Sequence, residues 1–189
     1  NVPHFNASMY PNGMMQVWTG TLLRTQNESQ LVAILGHEIT HYIKQHSLKR
    51  FVDVKNKTNF LSIFNVALAG TGAVYGIDTR GLSDLAGLGV MSTISAYSRD
   101  HEREADAGGL DLMMKLDYAA EGAPEIWERV IEEQEASDKS SSGLFLATHP
   151  APDERIKNLR ERAKKNIASK VPRIGEKEFL ENILPHRGE

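Results

Sequence analysis

The pentad His37-Glu38-Ile39-Thr40-His41 constrains this chain more than any other stretch. Apolar residues recur at helical spacing from Leu31 to Ile43, so the pentad rides on an amphipathic helix. At a separation of four residues the two imidazoles leave that helix on one face and can reach a single small cation. Glu38 lies about 100° round the helix from His37, beside such a cation, where a carboxylate can take a proton from a water molecule. This is the H-E-x-x-H spacing of zinc sites, two ligands and a base. Upstream, Thr25-Gln26-Asn27-Glu28 reads as a capping box with Thr25 at the cap, and the motif helix is expected over 26–49.

A buried polar site needs a core around it. The 189 residues, 40% hydrophobic and 25% charged, suit a single globular domain over 1–189. A net charge of −3 with scattered basic residues speaks against nucleic acid as a partner. There is no cysteine, so a metal here must be held by nitrogen and oxygen. A start at Asn1 without a charged-then-apolar leader reads as a mature or trimmed chain, with any signal or anchor outside it.

The expected fold is mainly α with a small β-sheet, an α+β arrangement. Residues 14–18, after the turn-rich Tyr10-Pro11-Asn12-Gly13, read as a strand paired with one near Phe5–Met9, in a small sheet over 6–24. No charge occurs between Lys57 and Asp78, about the length a membrane-spanning helix needs. However, Thr58, Asn59, Ser62 and Asn65 make a poor lipid-facing helix. The next charge-free run, Leu85 to Ser98, would reach only about 21 Å, short of a hydrocarbon core of roughly 30 Å. A glycine-rich helical hairpin over 58–97, buried or lying on a surface, is therefore expected in place of two crossings. A helical pattern then runs from about 84 to 116, open to a break near Gly108-Gly109, and another from Pro124 to Ala136. A polar loop lies within 137–152, and helices over 153–184 end the chain.

A catalytic zinc site takes three protein ligands and keeps a position open, so two histidines do not complete it. In Ser98-Arg99-Asp100-His101-Glu102-Arg103-Glu104-Ala105-Asp106, Glu102 and Asp106 share one helix face and Glu104 points elsewhere. Glu102 is assigned as the third ligand and Asp106 as the carboxylate that orients a ligand imidazole. His46, nine residues from His37, falls on the opposite face of a continuous helix and is read as a non-ligand with structural contacts. His101 faces away from Glu102 and is left out, as are His4 and His186 near the ends. Trp18 and Trp127 are read as packing residues.

Taken together, the pentad followed by Glu102-x-x-x-Asp106 resembles the HtpX-like and BepA-like zinc metallopeptidases, gluzincins that also include the CAAX prenyl endopeptidases. Asn6-Ala7 with Pro11-Asn12-Gly13, Thr21-Leu22-Leu23, Thr148-His149-Pro150 and Arg155-Ile156 extend the likeness over roughly residues 5 to 160. The resemblance implies a gluzincin-type metallopeptidase domain with one Zn2+ per chain on His37, His41 and Glu102, Glu38 as base and Asp106 behind a ligand. It places His149 near the metal, either steadying the oxyanion of the reaction or filling the open position. It matches Met14–Trp18 to an edge strand along which a protein or peptide substrate lies extended. The implied function is a zinc metalloendopeptidase for unfolded or misassembled proteins of the bacterial cell envelope, periplasmic or membrane-associated. The alternative is a self-inhibited or inactive zinc-binding chaperone or assembly factor. The pair of spans of the HtpX branch is missing between the motif and Glu102, which favours the soluble, periplasmic branch. The family often has a glycine where Asp117 stands.

Overall fold

The computed structural model describes residues 4–75, 78–80, 97–136, 149, 152–165 and 175–182. The expected loop over 137–148 and 150–151, the stretch 81–96 and the chain beyond 182 lie outside the described residues. The architecture is mainly α with one small sheet, as the sequence implies. Strand β1 (Ala7–Met9) pairs antiparallel with β2 (Met15–Val17), Ser8 opposite Gln16. Between them the turn is closed by a Gly13 N–H to Tyr10 carbonyl bond of 2.9 Å, and Gly13 takes φ +87°, where a side chain would be strained. Helix α1 (Thr19–Arg24) follows and is tied to the sheet by Thr21, whose hydroxyl accepts from the Asn6 N–H at 2.9 Å and donates to its carbonyl at 2.6 Å.

Helix α2 (Glu28–Ile43) carries the pentad and is shorter at both ends than expected. Its cap is Asn27, extended at φ −156° and accepting from the Gln30 N–H at 3.0 Å, while Thr25 closes α1. Asparagine is at least as good a cap as threonine, and the adjacent α1 uses up Thr25. At the other end Gln45 adopts φ 56°, the left-handed conformation that stops a helix, and α3 (His46–Tyr75) starts in a new direction. The first arm of the expected hairpin therefore lies in α3, which begins before residue 58. Phe60, Ile63 and Val66 of α3 are exposed. Among the described residues no helix is long and apolar enough to cross a membrane.

Helix α4 (Arg99–Lys115) starts at Ser98, whose hydroxyl accepts from the His101 N–H, and runs unbroken through Gly108-Gly109. Residues 97–98 just before it are not helical, and the expected pattern over 84–96 lies outside the described residues. Asp117, just past this helix, sits at φ 58°, a conformation in which glycine carries no penalty. Helices α5 (Gly122–Ala136), α6 (Pro152–Lys165) and α7 (Glu176–Asn182) complete the described elements. The core draws Phe5, Ile34 of α2, Leu110 and Met113 of α4, Ile126 of α5 and Leu159 of α6 into one buried cluster. Each such side chain stabilises the fold by about 1.5–3 kcal/mol relative to exposure.

Two glycines let α2 and α4 touch backbone to backbone. A Cβ on Gly109 would stand 2.8 Å from the His37 nitrogen, and one on Gly36 would stand 3.1 Å from the Gly109 carbonyl oxygen. Gly109→Ala should therefore force apart the helices that carry His37 and Glu102, at a cost of about 1–3 kcal/mol in denaturant unfolding. Gly70→Ala in α3, where a Cβ meets nothing within 4 Å, should instead gain about 0.5–1 kcal/mol. Equal effects of the two would contradict this packing.

Candidate metal centre

The close crossing of α2 and α4 brings His37, Glu38 and His41 from one helix against Glu102 and Asp106 from the other, with His149 closing over them. All six are buried, Asp106 the most exposed at 8%. His37 Nε2 and His41 Nε2 stand 3.0 Å apart. Glu102 reaches both, Oε2 at 3.5 Å from His37 Nε2 and Oε1 at 3.4 Å from His41 Nε2. The fourth corner is His149, whose Nδ1 is 3.2 Å from His37 Nε2 and 3.1 Å from Glu102 Oε1. Tetrahedral zinc with bonds of 2.0–2.1 Å sets its donor atoms roughly 3.3 Å apart, the spacing found here.

Asp106 Oδ1 lies 3.0 Å from His37 Nδ1. A carboxylate only accepts, so His37 carries hydrogen on Nδ1 and turns Nε2 to the centre. Arg155 of α6 locks this arrangement. Its Nε and Nη2 donate to the two oxygens of Asp106 at 2.8 and 2.7 Å, its Nη1 meets Glu102 Oε2 at 2.9 Å, and its guanidinium lies 4.0 Å above the Trp127 ring. Arg155 was visible in the sequence only as part of the family resemblance, with no role attached. Nothing in its spacing from the pentad places it under Asp106, because the contact is made by a separate helix.

The charges follow from this packing. Burial and Arg155 press the His37 imidazole down, but the bonds to Asp106 and Glu102 outweigh them and carry its pKa up to about 9. Burial takes His41 down to about 2 against the pull of Glu102. Burial also works against ionised Glu102, but His149, His37 and His41 hold it far below the usual carboxylate range. Asp106, likewise opposed by burial, is held down to about 2 by Arg155 and His37. Burial pushes Glu38 up, with His149 and His37 pulling the other way. Glu38 Oε1 is a buried oxygen without a hydrogen-bond partner and stands 3.5 Å from His149 Nε2. The Met9 backbone hydrogen-bonds the same carboxyl, which brings β1 up to the site.

This donor set fits a divalent cation. Two imidazole nitrogens, a carboxylate and a further imidazole all lie within 4.8 Å of one another. The centre buries three carboxyl groups, Glu38, Glu102 and Asp106, against the single guanidinium of Arg155. With these groups ionised and the imidazoles neutral, as metal binding requires, two negative charges remain for a cation to balance. Nitrogen and oxygen donors in that geometry suit zinc.

Two excluded histidines sit closer than expected. His46 is fully buried, with Nδ1 2.9 Å from His41 Nδ1 and Nε2 2.9 Å from Glu104 Oε2. His101 stacks on it with ring centroids 4.3 Å apart. Neither belongs to the group of donors around the centre.

The chain as a whole is similar to known proteins. The profile of peptidase family M48 matches residues 1–163. The putative β-barrel assembly-enhancing protease of Vibrio cholerae is 29% identical over 169 residues, which cover 85% of this chain and 33% of that protein. The mitochondrial metalloendopeptidase OMA1 of Schizosaccharomyces pombe is 29% identical over 84% of this chain and 44% of its own length. Metalloprotease YcaL of Escherichia coli is 28% identical over 83% of this chain and 58% of its own. The chain thus spans about a third of the length of the assembly-enhancing relatives it matches. With a match over 1–163, this chain belongs to peptidase family M48.

Proposed function

We propose that the chain is a zinc metalloendopeptidase, with His37, His41 and Glu102 holding one Zn2+ and Glu38 as the base. The observation that carries the reading is the orphaned oxygen of Glu38 beside a cluster of donors set at tetrahedral spacing. A zinc ion held there supplies a Lewis acid that polarises the carbonyl of the cleaved bond and strengthens water as an acid. Glu38 accepts the proton as the water oxygen adds to the carbonyl carbon, and returns it to the amide nitrogen as the C–N bond breaks. Asp106 and Arg155 keep His37 in the tautomer that binds metal.

The substrate in this reading is an extended segment of an unfolded or misassembled protein of the bacterial envelope, met in the periplasm or at a membrane surface. The names of the assembly-enhancing relatives support that setting. An extended segment that reaches Glu38 runs beside β1, since Met9 bonds that carboxyl. A cavity of about 280 Å³ among Met9, Tyr10, His41, Tyr42, Ile43 and Leu48 is open to a side chain next to the cleaved bond. Backbone pairing along a strand places few demands on sequence, as suits a protease for misfolded chains.

His149 supports a self-closed resting form. It takes the fourth corner and, at 3% exposure, shuts the centre from solvent. A substrate carbonyl must displace it. In this state the protein binds zinc without turning over, which merges the enzyme reading with the self-inhibited one.

Glu38→Gln should keep one zinc per chain and lose at least about a hundredfold in casein cleavage. Cleavage at the wild-type rate would remove Glu38 as the base. His149→Ala should speed cleavage by freeing the fourth position. A loss of tenfold or more would show instead that His149 serves the reaction.

A further inference from the structure

Each histidine of the pentad has one nitrogen turned to the centre and one turned away. Behind His37 the outward nitrogen meets Asp106. Behind His41 it meets another histidine. The corner at Gln45 (φ 56°) folds the chain back so that His46, the first residue of α3, lies against the side of α2 it would otherwise face away from. His46 Nδ1 comes within 2.9 Å of His41 Nδ1. Its other nitrogen is 2.9 Å from Glu104 Oε2, and the opposite oxygen of Glu104 is held by Lys44 Nζ at 2.7 Å. Tyr97 stacks on the His41 ring at 4.0 Å, and His101 on His46 at 4.3 Å, so neither ring is free to turn.

The chemistry of the end group gives this row a direction. An ionised carboxylate can only accept, so His46 carries its hydrogen on Nε2. The Nδ1 of a neutral His46 then holds a lone pair and can only accept, so the hydrogen between the two rings belongs to His41 Nδ1. The Nε2 lone pair of His41 is left facing the centre, 3.0 Å from His37 Nε2.

We propose that His46 is a positioning residue. Anchored by Glu104, it holds His41 in the Nδ1–H tautomer and so presents Nε2 to the metal, the counterpart on His41 of Asp106 on His37. This rests on the metal reading of the centre. Outer partners of metal-bound histidines fix tautomer and ring orientation, and their loss typically costs tenfold to a hundredfold in metal affinity. His46 differs from Asp106 in bringing no carboxylate, which adds direction to the site without adding a fourth buried carboxyl group.

Leucine and asparagine have nearly the same shape, but only asparagine sets an acceptor oxygen where His46 holds Nδ1. Zinc affinity, measured by competition with a chromophoric chelator, should fall about tenfold to a hundredfold in His46→Leu and stay within about threefold of wild type in His46→Asn. Glu104→Ala, at a half-exposed position, should weaken zinc in the same direction and serves if His46→Leu does not fold. In the zinc-loaded wild type, ¹⁵N NMR should show His41 with its hydrogen on Nδ1. Unchanged affinity in His46→Leu or in Glu104→Ala, equal losses in the leucine and asparagine variants, or His41 with its hydrogen on Nε2 would overturn the assignment. A wild-type protein that takes up no zinc would instead remove the metal reading beneath it.

Discussion

Two imidazole nitrogens, Nε2 of His37 and Nε2 of His41, face one another across 3.0 Å in the middle of this protein. Nothing about that contact is favourable by itself. Lone pairs at that distance repel unless a proton or a metal ion lies between them, and burial removes the water that would screen them. The surrounding structure is built to hold this arrangement. Asp106 and the His46–Glu104 pair set the tautomers, Arg155 sets Asp106, and Glu102 and His149 complete the donors. The pressure for a cation is thus generated by groups that lie mostly outside its reach.

That arrangement depends in turn on how closely two helices cross. Glu102 and Asp106 reach the histidines of α2 because Gly36 and Gly109 let the backbones meet without intervening side chains. The core cluster of Ile34, Leu110, Met113, Ile126 and Leu159 packs the same helices together further along the faces that carry the site residues. Packing and chemistry are therefore coupled. A methyl group at Gly109 acts on the donor cluster through the backbone of His37 itself.

Much of the centre was legible in the sequence because it is written in helical periodicity. A separation of four placed His37 with His41 and Glu102 with Asp106 on common faces, and each pair does lie together. What spacing could not show was set by departures from regular helix or by contacts between elements. His46 was assigned to the far face on the assumption that α2 continues, and Gln45 at φ 56° breaks that assumption. Glu104, correctly pointed away from the centre, proves to point at His46. Thr25 lost the cap to Asn27 because α1 ends where the capping box was expected to begin. Arg155 belongs to a helix whose docking no local pattern encodes. The small sheet was legible as a hairpin, but which strand adjoins Glu38 was decided by the tertiary contact at Met9.

The facing nitrogens have a thermodynamic signature that tests the account directly. With the His37 pKa carried up to about 9, the metal-free protein keeps a proton on this pair at neutral pH, and zinc must displace it. Titration calorimetry of zinc into the metal-free protein, repeated in buffers of different ionisation enthalpy, counts the protons released. Close to one proton should leave per zinc bound at pH 7.5, and the apparent affinity should rise about tenfold per pH unit until it levels off above His37's own pKa. Zinc binding whose heat is the same in every buffer, or no binding at all, would contradict it.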